Sequence, residues 1–289
     1  MKIMMRRLLW LVTILGFSLP AFAANKILVV ISSADQLQLK DGSMREVGFY
    51  LNELTVPLKK LIDAGYTPVY VTPGGALPHL DPASDDPKYF GGDRNLYSQY
   101  KSFLGDLHLL DKNLSPVRNI DDFKDNDFAD YSAVFVPGGH APMMDLVTNR
   151  SLGKILRTFH AQRKPTALIC HGPVSLISAL DNPEEYLEAV KAGDKFHAEQ
   201  LAREWVYQGC EITVFSDVED EAAEAKKFKG KMQFFPEDAL RWAGGFMNEA
   251  LPGKSNVTQC QELLTGQNPQ SDVELADRLL EILTAQSSK

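Results

Sequence analysis

The sequence predicts an α/β fold, one parallel sheet flanked by helices with a cysteine at a nucleophile elbow. Three observations lead there. Short apolar, β-branched runs recur along the chain, as strands covered on both faces require. Amphipathic stretches near helical spacing separate them, the alternation that crossover connections produce. A cysteine stands where one apolar run stops and a helical stretch begins. Composition agrees: 289 residues with 44% hydrophobic, 24% charged, 20 Gly and 16 Pro are ordinary for a globular chain and fit neither disordered, collagen-like nor disulfide-dense classes.

Residues 1–23, MKIMMRRLLWLVTILGFSLPAFA, begin with Lys2, Arg6 and Arg7, continue through an apolar run from Leu8 to Phe17, and end in Ala21-Phe22-Ala23. This is the pattern of a secretory signal peptide, with an apolar run short for a membrane span. An uncleaved N-terminal anchor is the alternative. Residues 24–289 are then expected as one exported domain, periplasmic in a Gram-negative host, with no stable membrane association once the leader is cut. The formal charge of −8 becomes −11 without the three leader cations, 27 Lys+Arg against 38 Asp+Glu. So acidic a surface disfavours nucleic acid and anionic lipid, which leaves a small molecule or another protein as partner.

Ile27 to Ile31 reads as a buried strand. Glu46 to Ala64 reads as a helix stopped by Gly65, kinked or divided by Pro57. Pro68 to Thr72 is the next strand, Pro73-Gly74-Gly75 a turn, and residues 76–125 surface loops with short helices. Ala133 to Val136 and Thr166 to Ile169 read as strands; Ser151 to Arg163 and Pro173 to Leu180 read as helices. Ile212 to Phe215 and Leu263 to Thr265 look like the last strands, and Glu274 to Leu283 a closing helix.

The chemistry concentrates in two windows. In KPTALICHGPVSLISAL, Lys164 to Leu180, a strand ends at Cys170 and turns through His171-Gly172-Pro173 into a helix. Such an elbow lifts the sulfur above the sheet beside a helix N-terminus, whose partial positive charge favours thiolate. A buried structural cysteine is the bland alternative. The enzymatic reading requires a reachable sulfur. In VFVPGGHAPMMDL, Val134 to Leu146, a second strand ends in Pro137-Gly138-Gly139-His140 at the carboxyl edge of the sheet, where open α/β folds place ligands. The Gly139 and His171 amides are candidates for an oxyanion hole, with Gly138 and His140 beside them.

These residues carry a resemblance. Cys170-His171-Gly172-Pro173, Gly138-Gly139-His140, Val47-Gly48-Phe49-Tyr50-Leu51-Asn52-Glu53-Leu54 and Leu264-Thr265-Gly266-Gln267-Asn268-Pro269 together resemble the ThiJ/PfpI superfamily, over about Lys26 to Leu283. The likeness is to its branch of heat-inducible chaperones and glutathione-independent glyoxalases. It implies a flavodoxin-like, class I glutamine amidotransferase-like fold, Cys170 as nucleophile and His171 as its neighbour. It further implies Glu53 as a protonated helix glutamate beside the sulfur, and an acid from the cluster Glu219, Asp220 and Glu221 as partner of His171, with Asp220 favoured. Where many relatives have glycine after Gly-Gly-His, this chain has Ala141. The resemblance also implies homodimers, and neighbouring strands that would bring Cys210 and Cys260 into a disulfide and leave Cys170 free; two unpaired thiols are the alternative.

The six histidines form no HExxH pattern and the cysteines no CxxC pair, so metal catalysis is not expected; with neither a Walker loop nor GxGxxG, no nucleotide cofactor is expected either. His79 with Asp81, Asp85 and Asp86 reads better as a solvated acidic loop than as a cation site, and Lys226 to Lys231 as a solvated loop. The resemblance implies a cysteine-dependent enzyme on small reactive carbonyls, a glutathione-independent glyoxalase taking methylglyoxal to D-lactate, or a related deglycase. The alternatives are a cysteine hydrolase of amide, peptide or isonitrile substrates, and a periplasmic holdase chaperone.

Overall fold

The computed structural model describes residues 25–287. The expected leader, 1–23, lies outside the described residues. Among the described residues, no helix is long and apolar enough to cross a membrane.

In chain order, β1 (Lys26–Val30) is followed by a hairpin of β2 (Gln36–Gln38) and β3 (Met44–Glu46), then α1 (Leu51–Asp63) and β4 (Thr67–Thr72). The next stretch carries α2 (Arg94–Asp106) and the two-residue β5 (Arg118–Asn119), and leads to β6 (Tyr131–Val136), α3 (Pro142–Asp145) and α4 (Arg150–Ala161). After β7 (Thr166–Ile169) come α5 (Pro183–Ala192), α6 (Lys195–Leu201), β8 (Glu211–Ile212) and α7 (Asp217–Ala223). The chain closes with α8 (Pro236–Trp242), β9 (Phe246–Met247), β10 (Val257–Cys260), β11 (Leu263–Gly266) and α9 (Asp272–Ser287). The main sheet has the order β10-β11-β7-β6-β1-β4-β5, with β10 antiparallel to β11 and the other neighbours parallel. β8 pairs with β9 in a separate ribbon.

Alternation along the strands divides the core between two faces. Ile27, Val29, Ala133, Phe135, Ala167 and Ile169 pack with Leu51, Leu54, Leu58 and Leu61 of α1 and Leu275 and Leu279 of α9. Leu28, Val30, Val134, Val136 and Leu168 pack on the other side with Leu152, Ile155 and Phe159 of α4. Strands buried on both faces explain their unbroken apolar sequences.

The expected and observed elements differ in instructive places. The first helix starts at Leu51 rather than Glu46, because Gly48 is pressed against the 79–81 loop, where a Cβ would stand 2.2 Å from the His79 carbonyl oxygen. Phe49 and Asp81 exchange main-chain bonds with His79 and Phe49 there, and the Ser84 hydroxyl accepts from the Leu51 amide. Pro57 neither ends nor divides α1. α2 spans 13 residues capped by Asp93 and fully buries only Leu104; Tyr97, Tyr100 and Phe103 pack half-buried on the core, a mostly aromatic stripe inside a polar stretch that reads less plainly than one of aliphatic residues. After the elbow, Gly172–Ala179 winds as a tight 3-10 helix with every residue buried. Of the expected Ile212 to Phe215 strand only Ile212 pairs, in β8 with Glu211, and β10 has no counterpart among the expected strands.

Candidate active site

Three chain crossings build the site at the carboxyl edge of the sheet. β7 ends, and Cys170 takes φ +59°, a left-handed backbone that a non-glycine residue adopts under constraint. That strain marks an elbow, and it turns the thiol toward α1. β6 ends in Pro137-Gly138-Gly139. A Cβ on Gly138 would fall 2.4 Å from Glu53 Oε2 and 2.5 Å from Cys170 Cβ, so the absent side chain is what allows carboxyl and thiol to meet. Gly139, at φ +82°, sits where a Cβ would be 2.0 Å from the Gly48 carbonyl oxygen. α1 supplies Glu53, which is completely buried.

The electrostatics are those of a dry site. Burial pushes the Glu53 carboxyl up to about 8, against the opposing effect of the nearby Cys170 thiol, so at neutral pH it keeps its proton. The thiol and the Gly139 amide act on Glu53, yet neither completes a hydrogen bond to its oxygens at good distance and angle. Burial, then the Glu53 charge, pushes the Cys170 thiol well above its ordinary value. This reverses the expectation of a thiolate favoured by the helix N-terminus. Eight buried residues in 3-10 turns form a weak dipole source, and desolvation of the sulfur outweighs it.

His171 bridges sulfur and acid. Its Nδ1 lies 3.3 Å from Cys170 Sγ, and its Nε2 lies 3.1 Å from Asp220 Oδ1. α7 is held in place for this by its own cap: the Ser216 hydroxyl and the Glu219 amide form the start of a capping box. Of the three candidate acids, Asp220 is the one that reaches His171. Glu219 instead binds Gln267 Nε2 and Asn268 Nδ2, and Glu221 faces solvent. Burial raises the Asp220 carboxyl, and the His171 ring opposes that rise.

His140, expected beside the oxyanion, has its ring 3.9 Å from that of His171 and its Nε2 3.4 Å from Asp220 Oδ1. Its neighbours are therefore the acid end of the imidazole, not the sulfur. Burial, the His171 ring and Lys227 hold His140 well below the ordinary histidine value. Sequence offered no sign of this, since a loop histidine carries no periodicity.

Sequence reasoning also missed the cover of the site. Lys227 of the basic run binds the buried Asp81 at 2.7 Å, and its ammonium stands 5.3 Å from the Tyr50 ring. Tyr50 meets Tyr89 edge to face at 5.4 Å, and Cys170 and Glu53 bear on both phenols. Under this cover Cys170 retains 2% of its surface, which departs from the reachable sulfur the sequence leads us to expect: a small molecule meets the thiol only when the cover shifts. Asp85 is paired with Lys101 and Asp86 caps its own turn, so the 79–86 loop spends its carboxylates on structure. A groove of about 530 Å³ that includes Lys40, Phe234 and Trp242 contains none of Cys170, His171 and Glu53; the chemistry belongs to the small buried setting.

Cys210 and Cys260 form a disulfide with Cα atoms 5.5 Å apart, and Cys170 is free. The bond ties the start of β8 to the end of the antiparallel β10, rather than joining two parallel neighbours.

Comparison with known proteins places this arrangement among relatives. A family model described as ThiJ/PfpI family-like matches residues 44–193. A Pseudomonas aeruginosa protein named protein/nucleic acid deglycase HchA is 26% identical over 258 residues, covering 86% of this chain and 78% of its own length. The structure of Francisella tularensis rapid encystment protein 24 kDa superposes with a TM-score of 0.68 at 24% identity, covering 90% of this chain and 99% of that one. Candida albicans glyoxalase III superposes with a TM-score of 0.64 at 21% identity, covering 89% and 96%.

Proposed function

The chain belongs to the ThiJ/PfpI-like family, and from that premise we propose that it is a cysteine-dependent enzyme acting on small reactive carbonyls, a glyoxalase of methylglyoxal type that needs no glutathione. One observation carries the proposal: a thiol in a dry site beside a carboxyl that holds its proton up to about pH 8, with the histidine–aspartate pair on the sulfur's other side. A relative named for deglycase activity supports a carbonyl substrate.

The chemistry follows from those positions. Sγ adds to the aldehyde carbon; the thiol proton passes to His171 Nδ1, and the new oxyanion takes a proton from Glu53 while the Gly139 amide stabilises it. The product is a hemithioacetal. Glu53 and His171 then move the C1–H proton to the C2 oxygen, which gives an enediol, and the C1 hydroxyl proton to the C2 carbon, which leaves a 2-hydroxy thioester. Water cleaves the thioester, releases the 2-hydroxy acid and returns the proton to sulfur. No electron leaves or enters. Asp220 keeps the His171 proton on Nε2, so that Nδ1 can accept.

A sulfur with 2% exposure favours a free carbonyl of a few heavy atoms over an adduct carried on a protein or nucleic acid, and the net charge of −8 weighs further against a polyanion. Export by a cleaved leader and homodimer formation belong to the same proposal. Purified protein supplied with methylglyoxal tests it. Wild type should release D-lactate and Cys170→Ala should release none; equal yields from the two would reject the cysteine chemistry.

A further inference from the structure

We propose that His140, His171 and Asp220 together bind a divalent transition metal of the zinc type, and that metal bound there silences Cys170. Two imidazole nitrogens converge on one carboxylate oxygen: Asp220 Oδ1 lies 3.1 Å from His171 Nε2 and 3.4 Å from His140 Nε2. All three donor atoms fall within 4.8 Å of one another. Four-coordinate zinc, with bonds of about 2.0–2.2 Å, holds its ligands roughly 3.3 Å apart. Two edges of the triangle thus have the length a metal sets, and the third lies within the same 4.8 Å.

His140 itself gives the independent sign. The side chain is 2% exposed, and neither ring nitrogen makes a hydrogen bond. A buried polar atom without a partner is costly and calls for an explanation. Asp220 Oδ2 is unpartnered as well. The tilted contact with the His171 ring and the edge-to-face contact with Phe228, centroids 4.7 Å apart, hold the ring so that Nε2 faces the acid. Two neutral imidazoles and one carboxylate match zinc, cobalt or copper; magnesium and calcium prefer oxygen.

The effect on the sulfur follows from tautomer chemistry, and this half of the proposal rests on the Cys170 mechanism above. Metal on Nε2 moves the ring proton to Nδ1, 3.3 Å from Sγ, with no net change in protons. His171 then donates toward the sulfur and can no longer accept from it. Because Sγ faces the opposite edge of the ring, it is not a ligand.

Co²⁺ titration of the metal-free wild-type protein is the test. One Co²⁺ per chain should bind with the strong visible absorption of a four-coordinate ion, and Zn²⁺ should displace it. X-ray absorption of zinc-loaded wild type should show nitrogen and oxygen neighbours with an imidazole signature and no sulfur at about 2.3 Å. Cys170→Ala should keep the site, whereas His140→Gln and Asp220→Asn should weaken it about tenfold or more. No Co²⁺ uptake, sulfur in the zinc shell, or binding lost with Cys170→Ala would overturn the assignment, and the wild-type spectra decide even where a variant fails to fold. Methylglyoxal turnover should fall on zinc addition and return on chelation. Metal bound with turnover unchanged would overturn the silencing alone, and a protein without turnover would still report the site spectroscopically.

Discussion

A carboxyl buried with no cationic partner keeps its proton, and Glu53 does so one helical turn from the covering Tyr50. The sign of its linkage is opposite to that of an ordinary salt-bridged acid. Its folded value of about 8 stands above the ordinary 4.5, so the native state binds a proton the unfolded chain has lost, and stability falls as pH rises from about 4.5 to 8. Glu53→Gln removes that penalty. At pH 7 the variant should be more stable than wild type by on the order of 3 kcal/mol, at about 1.4 kcal/mol for each unit of pH, while at pH 4 the two should melt together. Its D-lactate yield should collapse, because an amide cannot cycle a proton. Denaturant titrations at the two pH values check the first half. The residue itself was legible only through the motif around it, since a lone glutamate on a helix is ordinarily exposed. Cys170, His171 and Asp220 were legible in the same way. Their protonation was not: the order of residues points to a helix N-terminus beside the sulfur, while the desolvation that dominates depends on how closely α1 and β6 approach.

At the scale of elements, strands were the easiest to read, because burial on both faces leaves continuous apolar runs such as Ile27 to Ile31 and Thr166 to Ile169. Helices with a strong stripe, such as α4, followed. The segments that failed are those shaped by distant contacts. Gly48 is held extended by the 79–81 loop, and Thr213, on the stretch after β8, donates its amide to the Thr265 hydroxyl instead of joining a strand. This stretch matters, because it leads from the disulfide to Asp220. Linking residues 50 apart in sequence restricts the unfolded chain by about 4 kcal/mol in the loop-entropy picture. The double variant Cys210→Ser/Cys260→Ser should therefore lose roughly 2–4 kcal/mol. It should also lose more kcat than KM, since Asp220 is the site group nearest in sequence to the tether. An unchanged midpoint in urea would show that the bond contributes nothing.

The whole molecule carries a net charge of −8 and a single disulfide, a combination suited to an oxidising compartment. If the leader works as its sequence predicts, protein recovered from the periplasmic fraction of an expressing Gram-negative host should have the intact mass of residues 24–289 with the bond closed, and cytosolic protein made without the leader should keep Cys210 and Cys260 as thiols. Mass spectrometry before and after alkylation distinguishes these outcomes. Composition identified an ordinary globular chain, and charge gave an expectation about partners. Neither could place Lys227 over the site, because its ion pair with Asp81 spans 146 residues of sequence.

The two margins of the main sheet have a consequence for assembly. At one margin β5 offers only two residues; at the other β10 is short, antiparallel and bound to the ribbon of β8 by the disulfide. A copy seeking to add its own strand finds no ladder to continue at either side. Pairing through the main sheet is therefore disfavoured, which turns assembly toward helices and loops, with side chains rather than peptide groups deciding the fit.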